Sequence, residues 1–112
     1  MTTILTSIST FIGGTEMFKK LGQNSVQSRE GFVLSVISRN QLKYEEGDKI
    51  MMIDREAGVD RNNQWYTAIY TSNITRWQPP YDNESITEEK KQQIVQRVCA
   101  VLDFLEIKYV LE

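Results

Sequence analysis

From Phe32 the apolar residues alternate along the chain. Phe32, Leu34 and Val36 would face one side of an extended segment and Val33 and Ile37 the other, which predicts a strand apolar on both faces. Ser38-Arg39-Asn40 predicts a turn, after which Leu42 and Tyr44 resume the alternation. Glu46-Gly47-Asp48 reads as a hairpin, because Gly47 can take the positive φ that a tight loop requires. Lys49 to Arg55 is then the returning strand, with Ile50 and Met52 on one face and Met51 and Ile53 on the other. The stretch from Ala57 to Asn63 has a glycine, acids, amides and little apolar periodicity, so it is expected to be an exposed loop. Trp65 to Thr71 alternates Trp65, Thr67 and Ile69 with Tyr66, Ala68 and Tyr70; its β-branched and aromatic residues favour a pleated, half-buried surface. Ile74 and Trp77 follow a Ser72-Asn73 break, and Pro79-Pro80, which cannot donate to a ladder, ends the sheet.

A long helix is predicted after Thr87. Thr87 is a candidate N-cap, Glu88 and Glu89 sit at the positive end of the helix dipole, and Ser85 with Glu88 offers an alternative capping box. Ile94, Val98, Val101, Leu102 and Leu105 form an apolar stripe widened by Val95 and Cys99, suited to lying on a sheet. Ile107, Tyr109 and Leu111 then alternate with Lys108 and Val110 as a final strand. At the other end of the chain, Ile4, Ile8, Phe11 and Ile12 recur at helical spacing, with Met17, Phe18 and Leu21 beyond Gly13-Gly14. This predicts a short N-terminal helical segment, although the Ser and Thr content there also suits a strand. Polar residues from Gly22 to Glu30 read as a connecting loop.

The expected architecture is therefore α+β: an antiparallel meander sheet of four to six strands, one long C-terminal helix packed on one face and a short N-terminal helical segment. One helix covers one face of such a sheet, so strands apolar on both faces call for a second cover. The Ile4 to Leu21 segment would supply it from within the chain, and a second protein from outside.

The chain has 112 residues, 40% of them hydrophobic and 25% charged. This fits a single domain over residues 1–112, divided into an N-terminal extension, 1–30, and a core, 31–112. It contains no histidine, which excludes Ser-His-Asp and Cys-His nucleophile systems, the HExxH zinc site and an imidazole switch. One cysteine, Cys99, cannot form an internal disulfide, which fits a reducing cytoplasm. The first fourteen residues carry no Lys or Arg and no long apolar run, so neither a signal peptide nor a membrane span is expected. Net charge is −2, too small to imply nucleic-acid or membrane attraction. The distribution is uneven: Glu45, Glu46, Asp48, Asp54, Glu56 and Asp60, with Asp82, Glu84, Glu88 and Glu89, supply 10 of the 15 acids.

Little of this suits catalysis. Gly13-Gly14 is followed by neither a P-loop nor a GxGxxG pattern, and no zinc or calcium spacing is present, so no cofactor or metal is expected. Adjacent pairs such as Glu45-Glu46 have the residue types of a glycosidase acid and base, but neighbours on a turn are ordinarily solvated. Cys99, mid-helix among apolar residues, reads as a buried, inert thiol. Trp65, Tyr66 and Tyr70 would stack on bases, with Lys43, Lys49 or Arg76 on phosphates, but the charge balance favours core packing for these aromatics. The most distinctive segment runs from Ile74 to Glu89. Trp77 and Pro79 have structural roles as strand anchor and stiff exit, whereas Tyr81, Asp82 and Glu84 make an aromatic and acidic contact surface for a basic partner.

The turn segment Gln41-Leu42-Lys43-Tyr44-Glu45-Glu46-Gly47, the strand ending at Glu56, and Ile74-x-x-Trp77-x-Pro79-Pro80 followed by Ser85 to Glu89 and an Ile/Val-rich helix resemble immunity proteins of bacterial polymorphic-toxin and contact-dependent inhibition systems, in particular immunity family 74. The resemblance spans residues 31–112. It implies a cytoplasmic, non-catalytic inhibitor that binds and neutralises a cognate toxin C-terminal domain, nucleases among them, by non-covalent occlusion. Such a family carries no invariant catalytic positions to transfer. The candidate partner-binding residues are therefore the clustered acids and the aromatic beside them: Glu45, Glu46, Asp48, Glu56, Asp60, Tyr81, Asp82 and Glu84. The alternative is a non-catalytic structural or adaptor subunit, including a homodimer joined through an uncovered sheet face.

Overall fold

A computed structural model describes residues 11–12 and 15–112. Nine strands and one long helix follow in order: β1 (Phe11–Ile12), β2 (Thr15–Glu16), β3 (Phe18–Lys20), β4 (Ser25–Ser28), β5 (Phe32–Ser38), β6 (Gln41–Glu46), β7 (Lys49–Val59), β8 (Trp65–Ile69), α1 (Glu88–Phe104) and β9 (Tyr109–Leu111). β1 and β2 pair only with each other, and β3 to β9 form a seven-stranded sheet in sequence order. The fold is α+β as expected, with three differences. The sheet has seven strands rather than four to six. Residues 11–12, 15–16 and 18–20 are strands where a helix was predicted, and the part of that helix on residues 1–10 lies outside the described residues. Finally, β9 runs parallel to β8, because α1 carries the chain back across the sheet before β9 begins, as a parallel crossover requires.

Polar Ser25–Ser28 is a strand and not a loop because it lies between two others, pairing Phe18↔Ser28 with β3 and Val26↔Leu34 with β5. Within it Val26 and Ser28 are buried while Gln27 is exposed. On the covered face, Phe18, Val26, Phe32, Leu34, Leu42, Tyr44, Met51, Ile53 and Ile69 meet Ile94, Val98, Val101 and Leu102 of α1 in one core. The predicted stripe is the stripe that packs. Thr87 caps the helix, accepting from the backbone N–H of Lys90 at 3.1 Å, so the Ser85 alternative is not used. The other face has no continuous apolar surface. Its cross-strand rows read Val33↔Glu45↔Ile50 and Ser35↔Lys43↔Met52, with charged residues between the half-buried apolar ones. A second cover is therefore less necessary than the alternation suggested.

β7 organises the sheet. Its first half pairs with β6, ending at Gln41↔Asp54, and its second half pairs with β8, beginning at Arg55↔Ile69. It continues to Val59, through residues expected to be loop. Where β8 is absent, the chain after it fills the space: the Gln78 N–H donates to the Ile50 carbonyl at 2.8 Å and the Tyr70 N–H to that of Asp54 at 3.0 Å. Buried Ile74 and Trp77 close the end of the core there, with the Trp77 ring 6.2 Å from that of Tyr44. Trp77→Ala should accordingly lower the unfolding free energy by about 3–5 kcal/mol in denaturant titration; a loss below about 1 kcal/mol would show that this segment does not close the core.

Candidate functional site

The eight residues singled out from sequence do not form one surface. Asp48 and Asp60 lie just beyond opposite ends of β7, an extended path of up to about 40 Å. Glu45 points to the open face, 3.8 Å from Lys43. Glu46 points to the covered face and belongs to the scaffold. It accepts from the Tyr44 hydroxyl at 2.7 Å, from Lys90 Nζ at 2.6 Å and from Arg97 at 3.2 Å. Arg97 also donates to the Tyr44 oxygen at 2.8 Å and lies 4.9 Å over the Phe32 ring. This network bolts the polar edge of α1 to the sheet, and a carboxylate occupied in this way is poorly placed to receive a partner.

Glu56 accepts from the Tyr70 hydroxyl at 2.6 Å. Asp60 accepts from the backbone N–H groups of Asn62 at 2.8 Å and Gln64 at 3.0 Å, and pairs with Lys108; it holds its own turn together. Asp48, Tyr81 and Glu84 do converge around Lys49, and Asp82 is exposed next to Tyr81. The Tyr81 hydroxyl donates to Asp48 at 3.2 Å, Glu84 pairs with Lys49, and the Lys49 ammonium lies 5.5 Å over the Tyr81 ring and 5.8 Å over that of Trp77. Tyr81 is half-buried, while Asp82 and Glu84 are exposed. Sequence reasoning missed Lys49 as the cation that organises this loop.

The titration behaviour agrees with these roles. Burial opposes ionisation of Glu46, but hydrogen bonds from Lys90 and Tyr44 and the charges of Lys90 and Arg97 hold its carboxyl below the usual range. Lys108, with the two backbone donors, lowers Asp60. A general acid at neutral pH needs a carboxyl shifted upward, and these two are shifted downward. Burial pushes up the Tyr44 hydroxyl and the half-buried Cys99 thiol, whose neighbour Tyr109 is raised to about 12. Among the described residues no three metal-binding side chains converge, and no helix is long and apolar enough to cross a membrane.

The β8 aromatics are not core residues. Trp65 is 68% exposed, and Tyr66 and Tyr70 are half-buried, while small Thr67 and Ala68 are buried with Ile69. Trp65 pairs with Val59 as the last rung of the β7–β8 ladder, at the edge of a groove whose other wall is Glu106, Ile107 and Lys108. The sequence signal was the position of both residues directly beside the polar 60–64 turn.

Fold and surface together describe a small α+β protein whose reactive side chains are mostly engaged with one another and whose outward groups are suited to contact. Residues 35–112 match the model of the family described as Immunity protein 74. The chain belongs to that family, and hence among proteins whose general role is toxin neutralisation. No curated protein and no solved structure matches the chain.

Glu46 gives the scaffold a pH dependence. Because its folded pKa lies below the ordinary value of 4.5, its contribution is present above that value and is lost as pH falls through the folded pKa. Thermal melts of the wild type and Glu46→Gln should differ at pH 7 and converge toward pH 3. Equal melting temperatures at pH 7 would remove the network from the account of stability.

Proposed function

We propose that this chain neutralises a bacterial toxin domain by non-covalent occlusion, as a stoichiometric, non-catalytic inhibitor in the cytoplasm. The partner we infer is the C-terminal domain of a polymorphic or contact-dependent toxin with a basic surface. A nuclease fits this description, because it must hold a polyanionic substrate. The observation that supports the reading is the acidic end of the sheet, where the β6–β7 turn and the loop before α1 bring Asp48, Tyr81 and Glu84 together, with Asp82 exposed beside them. Glu88 and Glu89 follow on the first helical turn. The cations nearest this end include Lys49 and Lys90, paired with Glu84 and Glu46, so the excess charge presented outward is negative. Family membership supports the same reading.

Of the eight candidates, Asp48, Tyr81, Asp82 and Glu84 form the contact we propose. Glu46 and Asp60 serve the scaffold, and Glu45 and Glu56 flank the contact at most. An exposed acidic patch acts chiefly on association rate, and its effect is screened by salt. The toxin domain encoded beside this chain, co-expressed with it, should become non-toxic and co-purify in a 1:1 complex. Asp82→Lys and Glu84→Lys should each slow association roughly three- to tenfold at low ionic strength and much less in high salt. Failure of the wild-type chain to bind that domain, or self-association without it, would contradict the reading.

A further inference from the structure

Lys49 opens β7 beside the acidic loop, and its ammonium meets three side chains of the following segment. It lies 5.8 Å over the Trp77 ring and 5.5 Å over that of Tyr81, and it pairs with Glu84. These three differ in how firmly they are held. Trp77 is 2% exposed and packs in the core, its ring 6.2 Å from that of Tyr44, so it is a fixed platform. Tyr81 is half-buried and Glu84 exposed, so both have rotamer freedom that only further contacts remove. An ammonium resting on the fixed ring ties the other two side chains to β7. Asp82 stands between them in sequence, within two successive turns. The Tyr81 N–H donates to the Gln78 carbonyl and the Glu84 N–H to that of Tyr81, each at 3.0 Å. Before Asp82 the loop is attached to the β6–β7 hairpin by the Gln78 N–H on the Ile50 carbonyl at 2.8 Å and by the Tyr81 hydroxyl on Asp48 at 3.2 Å. After Asp82 it is attached by the Lys49–Glu84 pair.

We propose that Lys49 is a positioning residue of the toxin contact. Acting through Tyr81 and Glu84, it fixes the loop so that Asp48, Asp82 and Glu84 present a set arrangement of carboxylates to cations of the toxin domain, and it strengthens a complex whose long-range attraction its own charge opposes. The inference rests on the function proposed above and deepens it. The turn and loop carry three carboxylates, of Asp48, Asp82 and Glu84, against this one ammonium. Removing the ammonium therefore makes the surface more negative and speeds encounter with a basic partner. The same removal unties the loop on both sides of Asp82. A surface ordered before binding gives up less conformational freedom when the complex forms, and that advantage is read as slower dissociation. The two effects of Lys49 have opposite signs, so kinetics separate them. A lysine that served only to offset the neighbouring acids would show the first effect without the second.

The probe is the neighbouring toxin domain, inactivated by substitution and titrated with the full chain at low ionic strength by a method that separates association from dissociation. Lys49→Met removes the charge and keeps a stem of similar length. It should associate up to about threefold faster than wild type and dissociate at least about tenfold faster, a net weakening. Lys49→Arg, which keeps a cation for both rings, should dissociate within about twofold of wild type. In the free chain, Lys49→Met should speed amide exchange in residues 81–85 while the melting temperature stays within about 2 °C of wild type, because the pair it removes lies at the surface. If the wild type binds and Lys49→Met binds as tightly or tighter, or if Lys49→Arg dissociates as fast as Lys49→Met, the positioning role falls, although the proposed function survives. If the wild type does not bind, both fall.

Discussion

Strand β7 changes neighbours at Arg55, and most of what is particular to this fold follows from that exchange. Up to Asp54 the strand is paired with β6; from Arg55 it is paired with β8. Backbone groups left open by the absent neighbour must be satisfied if they are buried. The segment after β8 does this, donating from Tyr70 and Gln78 and placing Ile74 and Trp77 over the end of the core. Beyond Thr67, where β9 joins β8, the rungs Gly58↔Tyr66 and Val59↔Trp65 carry the chain into the 60–64 turn. The exchange also sends the acids of this region to two separate places, because the residues before Lys49 and those after Val59 sit at opposite ends of one strand.

Electrostatics in the molecule divide along the same line. Glu46, Lys90, Arg97 and Tyr44 form a partly buried network between α1 and β6, in which removal of one partner leaves the others under-satisfied. Asp60 performs a comparable task for the turn between β7 and β8. Such charges are costly to reassign to a partner. Asp82 and Glu84 are exposed on the loop before α1, and Glu84 is held by Lys49, so a partner would compete there with one surface ion pair, which is worth little in water.

Much of this was legible from residue pattern. The helix stripe, the Thr87 cap, the β5–β6–β7 hairpins and the structural role of Trp77 rest on local periodicity and turn chemistry, and these reappear in the structure. The β3–β4 pair was not legible, because Gln23 to Ser28 is polar and its strand character comes from neighbours on both sides. Trp65 was misplaced for a related reason: alternation says which residues share a face, but not which positions along that face are covered. Clustering in sequence likewise does not disclose that Lys90 and Arg97 fold back onto Glu46 and Lys108 onto Asp60.

The central claim is the proposal that this immunity-family chain meets a toxin domain through the acidic end of its sheet. Hydrogen–deuterium exchange of the chain, free and in its 1:1 complex, tests it most directly. The account predicts slowed exchange in the β6–β7 turn and in the 78–86 loop, while the β3 edge is unchanged. Protection confined to α1 or to the β3 edge would contradict it.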